Sequence, residues 1–149
     1  MYRHILVPTD GSTLSLKAAK AAMTLAGGVG AKITAIYVVE PFEPHWVGEI
    51  RSKAPDPLSG KEMDRLARQR GDAALEKVEA LAAEAGVRCA TVVVSDANPW
   101  KAIVKAAQAR KCDLIVMSSH GRRGIEGLLL GSQTAKVLAH TKLPVLVCR

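Results

Sequence analysis

Aromatic side chains are scarce in this chain of 149 residues: two Trp, two Tyr and one Phe amount to 3% of it. So few rings leave little with which to stack single-stranded bases, which argues against a nucleic-acid partner despite the net charge of +7. Cysteine is sparse too. Cys89, Cys112 and Cys148 are odd in number, far apart and set in apolar contexts, so a disulfide framework or a thiolate metal cluster is not expected. They read as reduced core thiols of a cytoplasmic protein. No apolar run approaches the roughly 20 residues that cross a bilayer, and Met1-Tyr2-Arg3-His4 leads directly into a strand-like segment, so no membrane association is expected. His4, His45 and His140 have no spacing that would assemble a metal site. Two nucleotide signatures are also missing. There is no G-x-x-x-x-G-K-[ST], and Gly28-Val29-Gly30 lacks a third glycine and follows a helical pattern, which argues against a P-loop ATPase or a dinucleotide enzyme.

What is present is unevenly placed. Residues 101–149 hold nine Lys or Arg against only Asp113 and Glu126, whereas residues 1–100 carry twelve of each sign. The positive field is therefore concentrated in the last third of the chain, where an anionic ligand would be drawn. The length fits one domain spanning residues 1–149, enough to bury roughly 70% of the surface exposed on unfolding.

Strand and helix patterns alternate along the chain. His4 to Thr9 reads as a first strand, and Asp10-Gly11-Ser12 as a turn and cap before a helix from about Thr13 to Ala26, stopped by Gly27-Gly28. Its apolar stripe is Leu14, Ala18, Ala21, Ala22 and Leu25. Ala31 to Val39 is a second strand, apolar on nearly every position after Lys32, as a strand covered on both faces requires. Glu40 to Gly60, with four prolines, breaks the pattern, and Pro41 to Gly60 within it reads as a mobile lid or partner surface. Lys61 to Ala85 is the longest helix, with Gly71 softening its middle and Met63, Leu66, Ala74, Val78, Leu81 and Ala85 on its apolar side. Val87 to Ser95 is a third strand. Pro99 opens a short helix with Ile103, Val104, Ala106 and Ala107 inward, Asp113 to Met117 is a fourth strand, and Leu143 to Cys148 a fifth. Such alternation predicts an α/β fold: an open parallel sheet of five strands with helices on both faces.

The stretch that carries chemistry follows the fourth strand. Met117-Ser118-Ser119-His120-Gly121 leads through a loop to Gly131-Ser132-Gln133-Thr134, where Ser132 is placed to cap a helix ending at His140. The first N–H groups of a helix lack internal partners and carry the positive end of its dipole, so a strand, glycine loop and helix start form a cradle for phosphate. Gly121 and Gly131 would let the backbone approach an anion, with Arg122 and Arg123 as counter-charges. The same glycines also read as turn residues of a solvated loop. Ser119-His120 suggests a nucleophile and base, but neighbours on an extended strand end point apart and no third group is evident, so catalysis is not expected.

The pattern Ser118-x2-Gly121-x9-Gly131-Ser132, with Lys142-Leu143-Pro144-Val145-Leu146-Val147 at one end and His4-Ile5-Leu6-Val7-Pro8-Thr9-Asp10-Gly11-Ser12 at the other, resembles the universal stress protein family along essentially the whole chain. The resemblance implies a strand order of 3-2-1-4-5 in a flavodoxin- or Rossmann-like fold of the adenine nucleotide α-hydrolase-like type. It implies an ATP site built from Pro8, Thr9, Asp10, Val38, Met117, Ser118, Gly121, Arg122, Gly131, Ser132 and Gln133, with Asp10 on ribose and the Val38 backbone at adenine. Asp10 as a plain turn residue and Val38 and Met117 as plain core are the alternatives. Mg²⁺ would accompany a bound triphosphate through phosphate oxygens and water, since no dedicated cage is visible. Ser118 is a departure, because nucleotide-binding members commonly carry glycine there. The resemblance further implies a homodimer through the last strand and a non-catalytic, nucleotide-dependent signalling role with an unidentified protein partner. The alternatives are a member that acts through protein contacts alone and a slow adenine-nucleotide hydrolase.

Overall fold

The computed structural model describes residues 1–41, 60–121 and 130–149. The elements are β1 (His4–Pro8), α1 (Thr13–Val29), β2 (Lys32–Val39), α2 (Gly60–Ala85), β3 (Cys89–Ser95), α3 (Pro99–Ala109), β4 (Leu114–Ser118), α4 (Ser132–His140) and β5 (Val145–Cys148). The sheet is parallel throughout in the order β3-β2-β1-β4-β5, as expected. The expected lid lies, apart from Pro41 and Gly60, outside the described residues. No helix among the described residues is long and apolar enough to cross a membrane.

Strand alternation divides the core in two. Ile5, Val7, Ile33, Ala35, Leu114 and Val116 pack against α1 and α2, while Leu6, Ile36, Ile115 and Met117 pack against α3 and α4 through Ile103, Val104, Ala107 and Val137. Central strands β1, β2 and β4 are buried almost throughout, which is why they read as continuous apolar runs.

The helices depart from the sequence reading in register. In α1 the buried set is Ser15, Ala18, Ala19, Ala22, Met23 and Ala26, rotated from the expected stripe. A helix with alanine at so many positions offers little contrast between its faces, and packing against the sheet decides. The helix also runs through Gly27-Gly28, since glycine costs only about 1 kcal/mol in a helix, and stops at Gly30, which caps it in the left-handed region at φ 70°. In α2 Met63 is exposed, and the buried residues are Gly71, Ala74, Leu75, Val78 and Ala82. Gly71 does not soften the helix. A Cβ there would lie 2.7 Å from the Tyr37 ring, so the glycine exists to let α2 settle onto the end of β2.

The opposite end of the sheet is tied by polar groups. The Asp113 carboxylate accepts hydrogen bonds from the backbone N–H of Arg3 (2.9 Å) and of His4 (3.0 Å), fixing the start of β4 against that of β1. Burial pushes its pKa up, but the hydrogen bonds from His4, Arg3 and its own backbone outweigh this and hold it below the usual value. Buried His4 is 2.8 Å from the Thr34 hydroxyl. Burial, and then the nearby Lys32 charge, hold its pKa below the ordinary 6.5, against the opposing pull of the Arg110 carbonyl and Asp113.

Two outcomes follow. The unfolded chain protonates His4 before the folded one does, so stability should fall as pH drops below about 6.5 toward the lowered folded value. Urea unfolding from pH 7 to 5 should show that slope, and His4→Gln should flatten it. Gly71→Ala gains about 1 kcal/mol of helix propensity but overpacks a buried ring at a cost of about 1–3 kcal/mol, so chemical denaturation should find the variant less stable.

Candidate functional site

β1 and β4 are neighbours whose chains leave toward opposite faces of the sheet, and a cavity of about 670 Å³ opens where they part. It lies within the size range of small-ligand sites. Pro8, Thr9, Asp10, Val38, Met117, Ser118, Gly121, Gly131, Ser132 and Gln133 all line it. The structure thus brings together every expected site residue that it describes; Arg122 lies outside the described residues.

The wall from β1 is organised by hydroxyls. Ser15 Oγ donates to the Ser12 carbonyl (2.9 Å), so in the 3.0 Å contact between Ser15 and Thr9 the proton comes from Thr9, whose oxygen accepts from Gly11 N–H at 3.2 Å. Ser12 caps α1 by accepting from Ser15 N–H at 3.2 Å. Gly11, at φ 79°, closes the turn. Asp10 accepts from Ser12 N–H through one oxygen (3.0 Å), and its other oxygen occupies the space where a Cβ on Gly121 would stand. One carboxylate therefore joins two stretches more than a hundred residues apart.

The β4 wall is stitched to α4. Thr134 Oγ1 donates to the Ser118 carbonyl (2.9 Å), Gly131 N–H to the Ser119 carbonyl (2.6 Å), and Ser119 N–H to the Cys148 carbonyl (2.7 Å). The N-cap of α4 is Gly131, one residue earlier than expected, and no side chain caps the helix. Gly131 has φ −73°, an ordinary conformation; glycine is needed because a Cβ would press on His120 Cα and Cβ at 3.0 Å. Its N–H is taken by Ser119, so it cannot serve an anion. Among the described residues, the N–H groups of Ser132, Gln133 and Thr134 in the first turn of α4, all on the cavity lining, have no acceptor. Ser118 also needs no glycine: Lys111 is the one non-glycine residue with positive φ among the described residues.

By contrast, α3 satisfies its own start. Pro99 has no N–H, Lys101 and Ala102 donate to the Asn98 carbonyl, and Trp100 N–H donates to Gln133 Oε1 at 3.0 Å. An apolar slot of Ile36, Val38, Pro99, Ile103 and Met117 lies beside this helix. Ser119 and His120 do not point apart: the chain bends after β4, and Ser119 Oγ lies 3.1 Å from His120 Nδ1. Ser119 itself is buried.

Sequence reasoning missed Ser15, Ile36, Tyr37, Glu40, Arg70, Pro99, Ile103, His120 and Thr134 on the lining. Ile36 was accessible from its two-residue step to Val38, and Thr134 from its place in the first turn of α4. Arg70 and Tyr37 depend on how α2 crosses the sheet, which no local pattern reveals.

Comparison with known proteins agrees with this architecture. The model of the universal stress protein family matches residues 1–149. A universal stress protein of Methanocaldococcus jannaschii is 39% identical over 151 residues, covering 100% of this chain and 83% of the relative. Among solved structures, universal stress protein UspA of Lactobacillus plantarum superposes with a TM-score of 0.77 at 26% identity, covering 99% of this chain and 98% of that one. A universal stress protein described as in complex with cAMP superposes with a TM-score of 0.72 at 28% identity, covering 99% and 97%. The chain belongs to the universal stress protein family.

Proposed function

We propose that the protein binds ATP in this cavity and acts as a non-catalytic, nucleotide-dependent stress-response module in the cytoplasm, as a homodimer that presents its state to a protein partner. The observation that carries the reading is the pairing, in one cavity, of an apolar slot with a helix first turn whose N–H groups have no acceptor among the described residues. The slot takes adenine beside the Val38 backbone, Asp10 accepts from the ribose hydroxyls, and Ser132, Gln133 and Thr134 donate to phosphate. The relative described with cAMP supports an adenine nucleotide as the ligand class. Mg²⁺ would ride on the triphosphate, held by its oxygens and water.

Calorimetry on protein stripped of nucleotide tests the site. Wild type should bind ATP; no heat at millimolar ligand would overturn the reading and favour a role through protein contacts alone. Gly121→Ala should displace the Asp10 carboxylate and weaken ATP at least tenfold, about 1.4 kcal/mol, with unchanged circular dichroism. Ser118→Gly should leave affinity as it is, because the backbone there is not strained.

β5 is an edge strand, and Leu146 on it is 42% exposed. Pairing with a second copy would cover both the apolar side chain and the unpaired backbone groups. Sedimentation should give the mass of two chains at micromolar concentration, and Leu146→Glu should shift it toward one. A monomeric wild type would remove the dimer from the proposal.

A further inference from the structure

Arg70 enters the cavity from α2, the helix packed on the face of the sheet opposite α4. It is the only arginine or lysine on the described lining, which also carries the carboxylates of Asp10 and Glu40. Its neighbours three and four residues away along the helix are Leu66, Ala67, Ala73 and Ala74, so α2 supplies no acid to neutralise it. The other two arginines of the helix differ. Arg65 Nε donates to Glu62 at 3.1 Å, and Arg68 has Asp64 and Asp72 four residues before and after it. Among the described residues no carboxylate pairs with Arg70.

Packing imposes this placement. The ring of Tyr37 fills the space beside Gly71, the next residue, so this turn of α2 cannot roll without displacing a buried side chain that also lines the cavity. Arg70 is thereby placed on the lining of a cavity whose other described charged residues, Asp10 and Glu40, are acidic, on the side of the sheet opposite α4.

Resting on the nucleotide reading above, we infer that Arg70 is a phosphate-binding residue, closing on the phosphate chain from the side opposite the first turn of α4 and making affinity depend on ligand charge. A guanidinium offers paired donors matched to phosphate oxygens and stays charged at any working pH. It also offsets the repulsion that Asp10 and Glu40 exert on a polyanion. Adenosine, which has no phosphate, would not engage it.

The test titrates ATP and adenosine into stripped wild type, Arg70→Gln and Arg70→Glu, each checked for unchanged circular dichroism. Because Arg70 is exposed on the helix surface and glutamine is a good helix former, folding should survive. Arg70→Gln should weaken ATP about tenfold, and Arg70→Glu more, with adenosine affinity unchanged within about twofold. The salt dependence of ATP binding should also become shallower in Arg70→Gln. Equal losses for ATP and adenosine would make Arg70 a packing residue and overturn the inference, as would ATP affinity equal to wild type in both variants. Failure of wild type to bind ATP at all would instead overturn the nucleotide reading itself, so the two failures are told apart by the wild-type titration.

Discussion

The Asp10 carboxylate resting against Gly121 is the contact on which the site depends. Parallel strands side by side, with their chains leaving toward opposite faces, open a gap at their C-terminal ends. Something must then hold the two departing loops at a fixed separation. Here a short carboxylate does so, anchored by Ser12 N–H on its own side and admitted on the other by the absence of a side chain. Lengthening the acid or adding a methyl group at 121 would spread the walls, and with them the relation between the apolar slot and α4.

The cavity receives two helix starts that behave differently. Both α3 and α4 point their N-termini at it, yet α3 consumes its donors on Asn98 and on Gln133, while the first turn of α4 has no acceptor among the described residues. Gln133 links them: its side-chain oxygen accepts from Trp100 N–H of α3, while its own backbone N–H belongs to the first turn of α4. A buried donor left unmade costs about 1–3 kcal/mol, which bears on Thr134, the buried member of the turn, whereas exposed Ser132 is open to water.

Much of this arrangement was legible in the chain. Continuous apolar runs at Ile5–Val7 and Leu114–Met117 mark central strands because both faces are covered, and Asn98-Pro99 marks the start of α3. Ten of the eleven expected site residues meet around one cavity. Helix faces were less legible: with alanine at 18, 19, 21, 22 and 26, periodicity cannot distinguish a stripe from its neighbour, and the sheet chooses. Positions set by tertiary packing were not legible at all. Gly71 looks like a weak point in a helix until the Tyr37 ring is seen filling the space beside it, and Arg70 looks like one more surface charge until the fold puts it on the cavity lining.

The glycine spacing itself takes on a different meaning in three dimensions. From sequence, Gly121 and Gly131 are absent side chains that make room for a ligand. In the fold the room is occupied by protein: Asp10 at one, and the His120 backbone and Ser119 carbonyl at the other. Neither glycine has a left-handed backbone. They allow the loop ends to close so tightly on β4 that Gly131 N–H is used up by Ser119 and the helix begins immediately afterwards. The spacing therefore acts on the cavity at one remove. It sets where α4 starts, and hence which three N–H groups remain to face the cavity. A substitution at either glycine would act through that geometry, not by filling the ligand's own volume, and a serine at 118 fits the same logic, since its carbonyl, accepting from Thr134, is the part that α4 uses.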